Sequence, residues 1–482
     1  MAKKVILEPG RTFSEFSLLT GRTRREGKIS NVSLHTDLAE HLVLRLPLLS
    51  AAMTSVTGYE MALALGKEGG LGILPARLPA EEQARIVRRI KKYEMGFVED
   101  PVTAGVDATI EEILRLVEQF GHSKIPIVDR NNIFQGMFIQ QHYWETEAGS
   151  QDRAAAAMIP FGSGQVPHCN DPEITVDEAK KLLQSGGQRY LVVLDDQNRL
   201  VKIAFQKDVE KVKVGSAITT YRGWQDRARA NAEAGADLIV VDTSDAYSDF
   251  AGEVIKQYAG MKLGTPLCVG NVITYEGARF LMEQGADVIK VGMSSGSICT
   301  TQREKATGRA PMTALMETDR ARQDYQKASG RTVPVIMDGG VTGPADLIIA
   351  LTVADAVMMG FYFNRFFESA GEKLDRGGKV TRDEREMVSV ATWGEGSSRA
   401  QNLDRYGHAT RKTFFEEGIE GRVDYLGRLK PALKRDMMKV RAALSNAGCL
   451  NLDEFRRQAV IELNSPHSSR IVSAPHDVKE KE

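Results

Sequence analysis

The chain has little cysteine, almost no net charge and no long apolar run. Only four of its 482 residues are cysteines, Cys169, Cys268, Cys299 and Cys449, and no two of them are close in sequence. This spacing argues against a disulfide framework and a cysteine-based zinc site, and it is typical of proteins in a reducing compartment. We therefore expect a cytoplasmic protein.

The charge and hydropathy patterns exclude several classes of partner. The formal net charge is −1, which gives no bulk attraction for nucleic acid or for an acidic membrane surface. No apolar run approaches the roughly 18 residues that a membrane span needs. The first residues do not form the apolar core of a signal peptide, and the eight histidines show no HExxH pattern. We expect neither nucleic acid nor membrane as a partner.

Apolar runs ending in glycine, serine or aspartate recur in two parts of the chain, 1–95 and 213–482. Helical patterns alternate with them, and the runs are nearly continuous, as expected of parallel strands buried on both faces. The alternation predicts an α/β fold, a (β/α)₈ TIM barrel whose strand ends share one active rim. The alternative is an open doubly wound sheet. It is less favoured, because this sequence has no GxGxxG after the first predicted strand.

Residues 96–212 interrupt this pattern with an internal repeat at a constant offset of 66 residues. Thr109-Ile110-Glu111-Glu112 matches Thr175-Val176-Asp177-Glu178, and Ile127-Val128-Asp129 matches Val193-Leu194-Asp195. Each copy predicts a helix, a strand, a turn and a strand, so we expect a duplicated unit inserted in a barrel loop. The order resembles tandem CBS modules (a Bateman domain), which implies binding of adenine or guanine nucleotides. A duplicated scaffold without a ligand is the alternative.

A loop of small residues, 292–302, follows the apolar run 287–291 and carries Cys299. A thiol at a strand end is a candidate nucleophile if its surroundings favour the thiolate, whereas a buried small residue in a turn is the plain alternative. Two later runs end in Asp338-Gly339-Gly340 and Met359-Gly360. Backbone amides at glycines suit a phosphate, and a carboxylate such as Asp338 suits ribose hydroxyls.

The stretch 371–435 breaks the strand-helix rhythm, because it is long, polar and rich in arginine. Such a loop in a compact domain predicts either a mobile lid or disorder. We place the lid, or flap, at about 385–425, where it would cover the active rim.

With these motifs, the chain resembles the inosine 5′-monophosphate (IMP) dehydrogenase family over nearly its whole length. Gly296-Ser297-Ile298-Cys299 followed by Thr301 is similar to the family's Gly-Ser-Ile-Cys-x-Thr active-site loop, and Asp404-Arg405-Tyr406 is similar to its flap. The resemblance implies an NAD-dependent oxidation of IMP to xanthosine 5′-monophosphate through a covalent intermediate on Cys299. It also implies a homotetramer, or an octamer of two tetramers paired through the CBS modules.

The resemblance further implies a role for each matching residue. Those implied in catalysis are Cys299, Thr301, Arg405 and Tyr406. Those implied in substrate binding are Met53, Asn271, Ser297, Asp338, Gly339, Gly340, Gly360, Gly394, Gly396 and Glu417. Those implied in NAD binding are Asp242, Thr243, Ser244 and Gly292. A potassium ion would be held by the backbone carbonyls of Ser294, Gly296 and Cys299.

Several positions depart from the family pattern. Ser294 replaces a glycine of the potassium loop, Thr54 replaces an aspartate, and Phe361 stands where a phosphate-binding serine is common. Thr392 replaces a tyrosine before the Gly-x-Gly of the phosphate loop, and Glu395 lies inside that loop. Potassium dependence and substrate preference are therefore open.

Two other functions remain as alternatives. A GMP reductase shares the barrel and the cysteine but uses NADPH and releases ammonia. That family generally lacks the Arg405-Tyr406 pair, which favours the dehydrogenase. A catalytically inactive, nucleotide-sensing regulator would explain the CBS-like repeat together with the altered phosphate positions.

Overall fold

The structure is a computed structural model that describes residues 5–93, 96–120, 123–206, 211–294, 296, 298, 300–397 and 418–465. The chain divides into two compact units. The first comprises Met1–Lys91 and Lys213–Glu482, and the second comprises Lys92–Val212. The second unit thus begins at Lys92 rather than at the expected residue 96.

In the described part of the first unit, eight parallel strands close into a barrel, and a helix follows each strand. The strands are β1 (Leu48–Ser50), β2 (Leu71–Leu74), β3 (Val214–Ile218), β4 (Leu238–Asp242), β5 (Leu267–Val272), β6 (Val288–Val291), β7 (Val335–Asp338) and β8 (Ala356–Met359). The helices are α1 (Tyr59–Glu68), α2 (Ala80–Lys91), α3 (Trp224–Glu233), α4 (Asp249–Met261), α5 (Tyr275–Gln284), α6 (Pro311–Ser329), α7 (Pro344–Ala350) and α8 (Leu429–Asn446). The predicted (β/α)₈ barrel is confirmed. No described helix combines the length and apolarity that a bilayer crossing requires.

Strand β1 completes the barrel by pairing with both β2 and β8. Leu49 lies opposite Leu71 on one side, and Leu48 lies opposite Val357 on the other. All residues of these three strands are buried. Side chains fill the barrel interior and helices cover its outside, which is why the strands read as continuous apolar runs.

A short hairpin packs against the interior of the barrel. Its strands, Thr36–Ala39 and Leu42–Leu44, alternate buried and exposed residues. Leu38, Leu42 and Leu44 join the core formed by the inward side chains of the barrel strands. The Thr36 hydroxyl donates to the backbone carbonyl of Asp355, just before β8, at 2.8 Å. The hairpin therefore closes the amino-terminal end of the barrel.

The barrel remains clipped together where the second unit interrupts it. Lys91, the last residue of α2, donates to both carboxylate oxygens of Asp237 at 2.9 Å. The amide of Val214, the first residue of β3, donates to the same carboxylate at 2.8 Å. One side chain thus holds the chain on both sides of the insertion.

A small antiparallel sheet consists of Lys373–Leu374, Ser389–Trp393 and Glu420–Asp424. Trp393 pairs with Glu420, so the structure differs at both flanks from the continuous loop expected over 385–425. The sequence Ser-Val-Ala-Thr-Trp supplies β-branched and aromatic residues that suit a half-buried strand. The other short elements of this unit are Phe13–Glu15, Phe16–Leu18, Ile29–Asn31, Thr301–Lys305, Phe361–Asn364, Leu452–Gln458 and Ile461–Leu463.

The second unit contains two similar halves. The first half has the helix Ile110–Phe120 and a sheet ordered Met158–Pro160, Phe134–Ile139, Lys124–Val128, Ala104–Gly105, with short helices at Gln140–Tyr143 and Ala154–Ala156. The second half has the helix Val176–Ser185 and a sheet ordered His168–Cys169, Tyr190–Leu194, Leu200–Phe205, Phe97–Val98.

Reciprocal hydrogen bonds join the two halves at their turns. The Phe134 amide donates to the Asn198 carbonyl at 2.9 Å, and the Leu200 amide donates to the Asn132 carbonyl at 3.0 Å. Asn132 and Asn198 both have left-handed backbones, with φ of 62° and 59°. Each partner lies 66 residues from its counterpart, so the sequence repeat corresponds to a local two-fold arrangement.

Candidate active site

A cavity of about 1220 Å³ opens where the barrel strands end. Segments that follow β1, β6, β7 and β8 line it, together with residues of the amino-terminal segment from Ile6 to Thr12. Seven of the predicted site residues contribute to its wall: Met53, Ser294, Gly296, Asp338, Gly339, Gly340 and Gly360. The sequence-predicted rim is therefore a concave surface that is large enough for a small-molecule ligand.

The turn after β7 requires its two glycines. Gly339 and Gly340 have φ of 82° and 74°, a left-handed conformation that side chains disfavour. The Gly339 amide donates to the Met358 carbonyl at 3.1 Å, which ties the turn to β8. The backbone thus bends immediately after Asp338 and exposes the turn to the cavity.

A buried lysine joins three of the rim residues. The Lys290 ammonium, on β6, donates to Asp242 at 3.0 Å, to Asp338 at 2.7 Å and to the side-chain oxygen of Asn271. The Asn271 amide in turn donates to Asp338 at 3.1 Å and to the Gly292 carbonyl at 2.5 Å. We call Asp242, Asn271, Lys290 and Asp338 the rim cluster. It connects the ends of β4, β5, β6 and β7.

Electrostatics fix the charge state of the rim cluster. Lys290 is only 1 % exposed, and burial by itself would lower the pKa of its ammonium. The carboxylates of Asp338 and Asp242 outweigh that effect and raise the pKa of Lys290 above its ordinary value of 10.5. Lys290 therefore remains a cation at neutral pH and orients both carboxylates.

The cysteines among the described residues either have a raised thiol pKa or lie in the second unit. Cys268, on β5, is fully buried among the barrel's inward side chains, and burial raises the pKa of its thiol to about 12. Burial also raises the pKa of the Cys449 thiol, and Cys169 is a half-buried residue of the second unit. Cys299 lies outside the described residues.

Described neighbours of Cys299 lie at the cavity. Ile298 and Gly296 line it, and the Ile298 carbonyl accepts a hydrogen bond from the Ile419 amide at 3.2 Å. Ser294 has a φ of 62°, and its hydroxyl donates to the Thr307 carbonyl at 2.8 Å. The serine therefore adopts the left-handed conformation that a glycine would supply, with its side chain turned onto Thr307.

The other predicted site residues have varied environments. Thr243 donates its hydroxyl to the Gly270 carbonyl at 3.0 Å, and Ser244 is exposed. Thr301 is buried as the first residue of a short helix. A Cβ atom at Gly394 would lie 3.0 Å from the Gly418 Cα, so the two backbones touch. Ser297, Cys299, Arg405, Tyr406 and Glu417 lie outside the described residues.

Lys290 is the site residue that sequence reasoning missed. It lies in the apolar run Asp287–Val291, which predicts only a buried strand. A lone lysine in such a run needs a buried partner of opposite charge, and this is the signal that was available.

Among the described residues, no group of three histidine, cysteine, aspartate or glutamate side chains is placed to hold a metal ion.

Comparison with known proteins gives a consistent family. A family model for the IMP dehydrogenase / GMP reductase domain matches residues 10–476. The inosine-5′-monophosphate dehydrogenase of Tritrichomonas foetus is 32 % identical over 502 aligned residues, covering 98 % of this chain and 96 % of that protein. The enzyme of the same name from Aquifex aeolicus is 32 % identical over 444 residues, covering 89 % and 88 %.

Solved structures share the fold at lower identity. A cysteine-to-alanine variant of the GMP reductase from Trypanosoma brucei, in complex with guanosine 5′-monophosphate, superposes with a TM-score of 0.69. It is 23 % identical in sequence, and the match covers 98 % of this chain and 99 % of that one. This likeness supports the architecture of the chain.

Proposed function

Because the chain belongs to the IMP dehydrogenase / GMP reductase family, a family of oxidoreductases, we propose that it oxidises IMP to xanthosine 5′-monophosphate with NAD⁺. The observation that supports this most is the cavity at the strand ends. Asp338 and the glycines after β7 and β8 line it together with Gly296 and Ile298, which belong to the active-site loop. A ribose-binding carboxylate, a phosphate-type turn and a reactive thiol would then face one ligand.

The rim supplies chemistry that suits a nucleoside monophosphate. Asp338 would accept hydrogen bonds from the ribose hydroxyls, held in place by Lys290. Backbone amides near Gly340 and Gly360, with Ser297, would bind the phosphate. Gly360 approaches the Met53 sulfur so closely that an added Cβ would lie 3.0 Å away, so Met53 would lie beside a phosphate bound at Gly360.

The reaction assigns a covalent role to Cys299. Its thiolate would add to C2 of the purine, and the tetrahedral adduct would lose the C2 hydride. NAD⁺ supplies the acceptor for that hydride. Water would then cleave the resulting thioimidate, releasing xanthosine 5′-monophosphate and the free thiol. Thr301 with Arg405 and Tyr406 would assist this hydrolysis, a role that rests on the family resemblance.

Cofactor and ion sites follow the same resemblance. Asp242, Thr243, Ser244 and Gly292 would line the nicotinamide side. A potassium ion would take the carbonyls of Ser294, Gly296 and Cys299, and the left-handed conformation of Ser294 is compatible with that loop. A homotetramer, or an octamer, is the expected assembly.

For the second unit, we propose a tandem CBS domain that binds adenine or guanine nucleotides and tunes the enzyme or its assembly. The reciprocal turn contacts at Asn132 and Asn198 support the duplication. Calorimetry with ATP and GTP on the full chain, alongside turnover, tests this proposal. Tight nucleotide binding without turnover of any purine monophosphate would instead favour the inactive regulator.

A paired assay tests the main proposal. IMP with NAD⁺ is assayed once with potassium and once without it, and at least one of the two conditions should yield NADH. GMP with NADPH should yield no oxidation of the cofactor. Cys299→Ala should abolish turnover, whereas Cys169→Ala, in the second unit, should leave it unchanged. NADPH consumption driven by GMP would identify a GMP reductase instead.

A further inference from the structure

We propose that Glu395 is a positioning residue that fixes the cysteine loop from outside the cavity. Its contacts with Thr54 and Arg77, which we call the Glu395 clamp, would hold the turn 394–397 against Ile298, the residue before Cys299. The inference rests on the proposed function, because it assumes that Cys299 is the nucleophile.

The clamp brings two separate segments of the barrel to one carboxylate. Thr54, after β1, donates its amide and its hydroxyl to Glu395 Oε1 at 2.7 and 2.8 Å. Arg77, after β2, pairs its Nε with Glu395 Oε2 at 2.6 Å and donates a second N–H to the Glu395 backbone carbonyl. The Trp393 indole donates to the Thr54 hydroxyl at 2.8 Å. The turn is therefore anchored to two barrel strands.

The clamp is also largely shielded from solvent. The Arg77 side chain is 2 % exposed and that of Glu395 is 16 % exposed. Removing the carboxylate alone leaves an unpaired buried guanidinium and is destabilising. Removing both charges together often leaves the stability nearly unchanged. The pair is thus suited to enforce one position of the turn.

A short hydrogen-bond path leads from the clamp to the cysteine loop. The Gly394 amide donates to the Ile419 carbonyl at 3.0 Å, and the Ile419 amide donates to the Ile298 carbonyl at 3.2 Å. A Cβ atom at Gly394 would lie 3.2 Å from that same carbonyl. Ile298 lines the cavity and Glu395 does not, so Glu395 would act through the backbone and not by touching substrate.

The test compares Glu395→Gln with wild type in single-turnover NADH formation at saturating IMP and NAD⁺. Displacement of the turn should slow this step by about tenfold or more, because small misplacements of reacting groups are costly. The KM for IMP should rise as well, because Gly394 and Gly396 of the same turn are implied in substrate binding. The double variant Glu395→Gln/Arg77→Met, which leaves no unpaired charge, should recover most of the rate.

A matched control is the buried pair of Arg322 and Asp355, 2.7 Å apart, beside the first residues of β7 and β8. Asp355→Asn should lower the unfolding midpoint and leave the single-turnover rate within about twofold. An equal loss of rate in both variants would assign Glu395 a merely structural role and overturn the proposal. A Glu395→Gln rate within about twofold of wild type would also overturn it.

Two further measurements keep the outcomes separate. Thr54→Val removes only the hydroxyl contacts and should give a smaller loss of rate than Glu395→Gln. If Glu395→Gln does not fold, an unchanged rate in Thr54→Val still counts against the clamp. If wild type forms no NADH, the proposed function fails by itself. Alkylation of Cys299 by iodoacetamide, relative to Cys169, then tests the clamp, and an unaltered ratio in Glu395→Gln overturns it.

Discussion

Aspartate occurs at both ends of the barrel, but its partners differ. At the amino-terminal end, Asp237, Asp287 and Asp355 each directly precede a strand, and each accepts the first amide of the neighbouring strand. Each also pairs with its own basic residue. The amide donors are Val214, Leu267 and Val335, and the basic partners are Lys91, Arg331 and Arg322.

At the carboxyl-terminal end, Asp242 and Asp338 instead share one buried cation, Lys290. The Lys290 ammonium also donates to the side-chain oxygen of Asn271. Among the described residues, no strand amide donates to either carboxylate, and Asp338 lines the cavity. The same residue type therefore stabilises strand register at one end and presents oriented charge at the other. Substitutions at the two ends should separate stability from substrate handling.

The largest effect should come from Lys290→Met. Two carboxylates would lose their shared cation in a buried site, so the free energy of unfolding should fall by about 3–5 kcal/mol. Turnover should fall by about a hundredfold or more, because Asp338 would lose its orientation. Urea denaturation and steady-state assays measure both. Lys327→Met, at an exposed pair with Asp324, should change stability by less than about 0.5 kcal/mol.

The next effect separates the two ends directly. Asp338→Asn should reduce kcat/KM for IMP by about ten- to a hundredfold, since a charge-assisted hydrogen bond would become neutral. Its stability should change less than that of Asp355→Asn, because Asp242 still balances Lys290. Asp355→Asn should lower stability by about 1–3 kcal/mol with nearly unchanged kcat/KM. Equal kinetic losses in both variants would contradict the division between the ends.

A smaller, pH-dependent effect distinguishes the buried Lys290 from the half-buried Lys373. The pKa of Lys290 is raised, so its contribution to stability is present below 10.5 and is lost as the pH rises through the still higher folded pKa. Burial lowers the pKa of Lys373 to about 8, so its folded form loses its proton first, and stability rises between pH 8 and 10.5.

Denaturation of Lys290→Met and Lys373→Met at several pH values measures these contributions. Between pH 8 and 10, the difference from wild type should stay constant for Lys290→Met. For Lys373→Met it should shift in favour of wild type as the pH rises. A parallel trend in the two variants would contradict the assigned charge states.

The smallest effect concerns the barrel interior. Because burial raises the pKa of Cys268 to about 12, iodoacetamide at pH 9 should leave it unmodified in the native protein. Cys169, half-buried in the second unit, serves as the reactive comparison. Mass spectrometry of peptides measures both, and labelling of Cys268 at the rate of Cys169 would show that the barrel core opens readily.

Much of the barrel could be predicted because its strands are buried on both faces. Strand β3 gave no such signal, since Val-Gly-Ser-Ala-Ile is neither long nor strongly apolar. A Cβ at Gly215 would lie 2.5 Å from the Ile73 side chain. The glycine is therefore required by contact with a residue that is distant in sequence. Helix α6 was also missed, because polar residues surround its short apolar stripe.

The candidate site was predictable where residue type follows strand position, as at Asp338 and the two glycines after it. Contacts between distant segments were not. Thr54 and Glu395 appeared as two unrelated departures from the family pattern, yet they bind each other across 341 positions of sequence. A pattern along the chain carries no information about such a pairing.

The clip at Asp237 has a consequence for how this chain can change. Since one carboxylate holds the end of α2 and the start of β3, the barrel supplies its own closure there, whatever lies between. Loop-closure free energy grows by only about 0.6 kcal/mol for each doubling of length, so a long or a short segment is tolerated almost equally. In evolution, whole domains can therefore be gained, lost or exchanged at this junction. In protein engineering, it is a suitable position for inserting a sensor domain.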